Sequence, residues 1–241
     1  MAVAGVLTGA AGVARAEPES PDVAVVATRF DKLAYQAGEE AAVSFTLANY
    51  GQVDAEHVVI NSGGNGDSWE LGITDWGGVE YEGEGVNILA GERVTVVLRG
   101  VVSDGSYDVG RVTIAYGFGA ANGDYDESNN IGSARASVPG ATGIMMGDAM
   151  YDQDGDGQLD PGEGVPDVKV TIVGLFDIEH IATVHTDADG HFGFTDLPVG
   201  EYEFRVTPPA GWWLVHGGNV SHVEVRRTEY PGLRLEVEPV T

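Results

Sequence analysis

The chain has no cysteine, which removes disulfide frameworks, zinc–thiolate sites and cysteine nucleophiles from consideration. Basic side chains are scarce: 12 Lys and Arg stand against 38 Asp and Glu, for a formal net charge of -26. The imbalance is evenly spread, with 20 acids and 7 bases before Gly140 and 18 acids and 5 bases after it. Such a surface repels phosphate backbones and anionic headgroups, which argues against nucleic-acid and peripheral membrane partners. Its natural partner is a cation. No apolar run reaches the roughly 20 residues that a bilayer-spanning helix needs, so the mature chain is read as not integral to a membrane. A G-x-S-x-G elbow and a P-loop are also missing. A hydrolase or nucleotide-dependent enzyme would have neither nucleophile nor phosphate cradle, and the reading is of a non-enzyme.

Absence of cysteine does not imply a cytosolic address. Ala2 to Ala14 is a small-residue apolar run, followed by the A-x-A pattern Ala14-Arg15-Ala16 and the polar EPESPD. Residues 1–16 are therefore read as a secretory signal peptide without its basic start, and Glu17 as the mature N-terminus. The expected location is secreted or cell-surface.

Between Asp22 and Val138 the chain offers short runs separated by turn residues: DVAVVATRF, AAVSFTLANYG, HVVINSG, RVTVVLRGVV, GRVTIAYGFG and IGSARASV. Val43, Phe45 and Leu47 alternate with Ser44, Thr46 and Ala48. This period of two, without a long helical period, predicts a β-sandwich with one buried face per sheet. The glycine-rich stretch from Ser62 to Gly85 is expected to be long loops with short strands around Trp69 to Trp76. DVAVV, FTLANYGQVDAEHVVI, LAGERVTVVLRG and DYDESNN together resemble the cell-adhesion-related domain found in bacteria (CARDB) over most of residues 22–139. That resemblance implies an immunoglobulin-like sandwich for 17–139, and the segment from Gly63 to Gly85 departs from its compact members.

Val138-Pro139-Gly140-Ala141-Thr142-Gly143 is the expected boundary, too short for a flexible tether. Beyond it GIMMGDAMYD, VPDVKVTIVG, IATVHTD, HFGFTDL, EYEFRVTPPAGWW, SHVEVRR and LRLEVEP again alternate. The expected class is all-β, with two tandem β-sandwiches.

One stretch carries recognisable chemistry. In YDQDGDGQLDPGEG, acids stand at loop positions 1, 3, 5, 9 and 12 counted from Asp152 (Asp152, Asp154, Asp156, Asp160, Glu163), with Gly157 at position 6. This is the ligand register of an EF-hand loop, in which Gln158 at position 7 offers its backbone carbonyl. Five carboxylates this close repel one another unless a cation lies among them. Calcium suits such a flexible carboxylate set better than magnesium, which demands tight octahedral geometry. A calcium sensor needs helices on both sides of the loop, and these are missing. Gly164-Val165-Pro166 disfavours helix, and Val168, Val170 and Ile172 continue in strand alternation. A dockerin would need a second such loop.

The surrounding motifs resemble the B-type module of serine-aspartate repeat surface proteins (SdrD B-like). Gly147-x-Ala149-Met150-x-Asp152 leads into the loop, and Pro161-Gly162-Glu163 and Val168-x-Val170 follow it. Thr186-Asp187-x-x-Gly190-x-Phe192-x-Phe194, Leu197-Pro198-x-Gly200-x-Tyr202 and Pro209-x-Gly211-Trp212 complete the pattern. The resemblance implies a transthyretin-like (prealbumin-like) sandwich over 143–241 and a calcium-stabilised stalk or adhesin-associated role. Relatives that form a Lys–Asn isopeptide bond carry a catalytic Glu where this sequence has Arg205, which argues against a crosslink between Lys169 and Asn219.

Other residues also carry groups capable of chemistry. Asp124, Asp126 and Glu127 suggest a second ion or a solvated turn. Asp187 and Asp189 fit a hairpin turn at Gly190. His180, His185 and His191 lack zinc spacing. Trp69, Trp76, Trp212 and Trp213 are candidates for stacking on sugars. The function expected is a non-enzymatic secreted or cell-surface protein of structural or adhesion type, its C-terminal sandwich made rigid by Ca2+. The alternative is a carbohydrate-binding accessory module using exposed tryptophans. Partners left open are an extracellular matrix protein, another surface protein or a glycan.

Overall fold

The computed structural model describes residues 20–176, 178–215, 220–227 and 232–240. The expected signal peptide and Glu17 lie outside the described residues, as does Asn219. Two hydrophobic cores form, one from Val23 to Val138 and one from Met145 to Val237.

The first core lies between two four-stranded sheets. Their elements in chain order are β1 (Val23–Phe30), β2 (Glu40–Asn49), β3 (Ala55–Gly63), β4 (Gly72–Asp75), β5 (Val86–Ile88), β6 (Arg93–Val101), α1 (Asp104–Val109), β7 (Arg111–Gly119) and β8 (Ile131–Ser137). One sheet has the order β1-β2-β6-β4 and the other β5-β3-β7-β8. The six runs expected as strands are β1, β2, β3, β6, β7 and β8. Alternation on β2 reads directly into packing, because Val43, Phe45 and Leu47 are completely buried. Phe45 meets Phe118 of the opposite sheet with ring centroids 5.2 Å apart.

The helix α1 has no counterpart among the expected elements. Its six residues are too few for a helical period. Ser103 caps it by accepting the Ser106 N–H, and Gly110 ends it in the left-handed conformation.

The second core lies between sheets of order β12-β9-β16-β14 and β11-β10-β13-β15. These comprise β9 (Thr142–Met150), β10 (Lys169–Gly174), β11 (Ile181–His185), β12 (His191–Pro198), β13 (Gly200–Thr207), β14 (Trp212–Leu214), β15 (Val220–Val225) and β16 (Gly232–Pro239). Met145, Val168, Val170, Ile172 and Tyr202 form its driest part. Strand β16 pairs parallel with β9, while the other pairings in both sandwiches are antiparallel among the described strands. No described helix is long and apolar enough to cross a membrane.

The two sandwiches meet through charge and aromatic contacts as well as the short linker. Arg111 on β7 pairs with Glu224 on β15 and lies 3.5 Å from Glu201. Arg227 donates to Asp108 at 2.6 Å. Arg111 from one sandwich and Arg226 from the other both stack on Trp69, 5.7 and 5.2 Å from its ring centroid. These contacts join β7, Asp108 and Trp69 of the first sandwich to Glu201, Glu224, Arg226 and Arg227 of the second.

Candidate metal centre

The acidic loop leaves β9 at Met150 and returns at Gly164, and these two residues form a β-bridge. The Tyr151 N–H donates to the Glu163 carbonyl at 2.9 Å, closing the loop at its base. What holds the loop's ends is therefore sheet, and the helices of a sensor are replaced by β9 and β10. The hairpin turn between β11 and β12 supports the closure. Gly164 lies so close to this turn that a Cβ there would sit 2.1 Å from the Asp189 carbonyl oxygen, so only glycine fits. Thr186, 4% exposed, donates from Oγ1 to the Val165 carbonyl at 2.7 Å and accepts the Val168 N–H at 3.0 Å. Asp187 shapes the turn as expected, accepting the N–H groups of Asp189 and His191.

Within the loop, Asp152, Asp154 and Asp156 each place a carboxylate oxygen within 4.8 Å of the others. This group could hold a metal ion. Asp152 accepts from Gly155 N–H at 2.7 Å and from Gly157 N–H at 2.9 Å. Asp154 accepts from Asp156 N–H at 3.1 Å. These bonds fold the backbone around the carboxylates, and Gly157 supplies the bend with φ of 74°.

The other candidates occupy different places. Gln158 is tied to Asp156, donating its N–H at 2.7 Å and its side-chain amide at 3.1 Å. Asp160 is exposed, and its carboxyl is raised above the usual range, first by the charge of Asp156, then by desolvation, then by Asp154, Glu163 and Asp152. Asp160 therefore feels the charge of the loop's four other acids. Glu163 is 6% exposed and accepts the N–H groups of Gln153 at 2.8 Å and Asp160 at 3.1 Å. Its place in the structure is the loop's inner brace, holding position 2 to position 9. The donor set is all oxygen and strongly anionic, which fits a hard divalent cation.

Sequence reasoning missed Arg234 of β16, whose guanidinium donates to the Gly157 carbonyl from 77 residues away. No local signal could have placed it there. Thr186 belongs to the motif Thr186-Asp187-x-x-Gly190, but its service to the loop exit depends on a turn that only the fold brings alongside.

The remaining candidates are not part of the carboxylate group found among the described residues. Asp124 is occupied by the N–H groups of Val23 and Asp126 and by the Asn130 amide, and Asp126 caps a 3-10 turn at Ser128. His191 pairs with Asp148 at 2.5 Å. His180 sits edge-on to Tyr202, and His185 is exposed. Lys169 is exposed on β10, and Arg205 pairs with Glu203. Trp69 is covered by the two arginines, and Trp212 is half-buried with its ring edge-on to Tyr151 at 5.8 Å. Those two tryptophans are not free stacking platforms.

No curated protein sequence matches the chain. Among solved structures, the Bacillus anthracis TIE protein is similar at 13% identity and a TM-score of 0.36, over 93% of this chain. This chain covers 42% of that one, so it spans less than half its length. The major pilin subunit BcpA of Bacillus cereus is similar at 11% identity and a TM-score of 0.32, over 91% of this chain and 70% of that one. A CARDB domain of Pyrococcus furiosus, crystallised in complex with di-metal ions, is similar at 14% identity and a TM-score of 0.35, over 54% of this chain and 99% of that one. The stretch that carries the acidic loop is assigned by sequence: residues 144–223 match the family model described as SdrD B-like domain.

Proposed function

We propose that the chain is a non-enzymatic, secreted or cell-surface protein of structural or adhesion type, built of an immunoglobulin-like domain at 17–139 and an SdrD B-like domain at 143–241. Its second sandwich is made rigid by calcium. Asp152, Asp154, Asp156, Asp160 and Glu163 supply the carboxylates and Gln158 a backbone carbonyl. The observation that carries this reading is the convergence of Asp152, Asp154 and Asp156 in a loop whose two ends are clamped into the sheet. A sensor needs a helix pair that opens; here the loop runs from the end of β9 to a β-bridge at Gly164, with β10 following after a turn, so occupancy acts on stiffness.

Bound there, a hard divalent cation neutralises the mutual repulsion of the acids. The chain does the rest. Asp152 and Asp154 order the backbone through its own N–H groups, Glu163 braces the loop across its base, and Thr186 with the Asp187 turn holds the exit. Extracellular calcium modules bind at roughly 10⁻⁴ to 10⁻³ M, and saturation about 100-fold above the dissociation constant adds about 2.7 kcal/mol. Against a net domain stability of roughly 5–15 kcal/mol, that is a substantial share.

Thermal melting with and without a calcium chelator tests the reading. The second sandwich should melt higher with calcium, and the difference should vanish in Asp156→Ala. An equal midpoint in both buffers for the unmodified chain sinks the proposal.

A further inference from the structure

The stretch that departs from the compact CARDB pattern builds a cleft on the first sandwich, far in sequence from the acidic loop and independent of the calcium reading. The cleft measures about 540 Å³ and is open to solvent; Asn61, Trp76, Glu80, Tyr81, Glu82 and Tyr116 are among the residues that line it. Its volume lies within the roughly 300–1,000 Å³ typical of small-molecule sites.

The wall that carries four of these six residues is an ordered loop. Val79 is completely buried, and its carbonyl accepts the Ile60 N–H at 2.7 Å while its own N–H donates to the Trp76 carbonyl at 3.3 Å. Gly83 N–H reaches the Glu80 carbonyl at 2.8 Å, and Gly85 N–H the Gly78 carbonyl at 2.9 Å. On this pinned loop Tyr81 is 73% exposed. Tyr81 thus presents a large aromatic ring to water at the cleft. Behind it, Trp76 and Tyr116 pack edge to face with centroids 5.4 Å apart, and both rest on the first core, so this floor is firm.

We propose that this cleft binds a neutral sugar ring of a glycan. Aromatic surface receives the C–H face of a pyranose, as it receives other apolar surface. The carboxylates of Glu80 and Glu82 accept from sugar hydroxyls, and the Asn61 amide both donates and accepts. A wholly apolar ligand would strip water from those groups without replacing their hydrogen bonds, at a cost of roughly 1–3 kcal/mol each. The lining residues include two glutamates and no Lys, Arg or His, so an acidic sugar would meet only like charge. A quaternary ammonium would satisfy the rings and the carboxylates but leave the amide unused.

The test uses the full chain in calcium buffer. Tryptophan fluorescence and calorimetry follow titration with neutral cello-, xylo-, manno- and chito-oligosaccharides, and with choline chloride. At least one neutral oligosaccharide series is expected to bind. Tyr81→Ala, whose ring faces solvent, should weaken that binding at least tenfold, Glu82→Gln should weaken it several-fold, and Trp213→Ala on the second sandwich should leave it unchanged. Binding should also survive chelation of calcium, which separates this proposal from the one above. The proposal is overturned if no neutral sugar binds, if Tyr81→Ala binds as well as the unmodified chain, if choline alone binds, or if chelation abolishes sugar binding.

Discussion

The Oδ2 atom of Asp152 accepts a hydrogen bond from the backbone N–H of Gly157 at 2.9 Å, across five residues of the acidic loop. The bond requires Gly157 to stand at φ of 74°, a region in which a Cβ costs about 1–2 kcal/mol. Gly157→Ala should therefore weaken calcium binding roughly tenfold while leaving the melting of the chelated protein nearly unchanged, because the loop is exposed. Calorimetric titration with calcium checks the first part and a melt in chelator the second.

Charge repulsion among the loop acids predicts a change of sign. In chelator, Asp156→Asn should match or exceed the unmodified chain in melting temperature, since it removes the charge that weighs most on Asp160. In millimolar calcium the same variant should melt lower. A stabilisation of about 2.7 kcal/mol corresponds to roughly 10–20 °C in a domain of about 100 residues, so paired calorimetric scans resolve the crossing.

Thr186 holds the loop exit through two buried hydrogen bonds. Thr186→Val keeps the shape but leaves the Val168 N–H and the Val165 carbonyl unpaired, at about 1–3 kcal/mol per group. Denaturant unfolding should register a loss of that order in the second sandwich, with calcium present or absent. A loss seen only with calcium would contradict this account.

The joint between the sandwiches should fail in acid. Burial raises the Glu224 carboxyl, but hydrogen bonds from Arg111 and Arg226 outweigh it and hold the group below the usual glutamate range. A depressed folded value means stability that is complete above the unfolded value, near 4.3, and is lost as pH falls through the folded one. Small-angle scattering should show the two sandwiches loosening as pH drops through that window. Arg111→Ala should produce the same loosening at neutral pH and cost about 1.5–3 kcal/mol, because the pair is mostly shielded from solvent at 17% and 22% side-chain exposure.

Much of the fold was legible because its signal is local. The alternation of Val43, Phe45 and Leu47 states which face of β2 is buried, since a strand turns every second side chain inward. The helix α1 was missed for the opposite reason: six residues give no period, and its capping residues Ser103 and Gly110 also occur in ordinary turns. For the loop, the spacing of Asp152, Asp154 and Asp156 sufficed to predict their convergence. Glu163 shows the limit of spacing, because its register as a terminal ligand did not reveal that its oxygens brace the backbone of Gln153 and Asp160.

By itself the sequence determined the all-β class, the acid register and the absence of flanking helices, because each depends on residues within about a dozen positions of one another. Tertiary structure alone decided the fate of the tryptophans. Trp69 lies under Arg111 and Arg226, and Trp212 lies against Tyr151, while Trp76 backs an open cleft. It also decided the charged joint, where Arg111 and Glu224 meet across 113 residues. Such contacts carry no periodic signal; they exist only once two separately packed cores have brought their surfaces together.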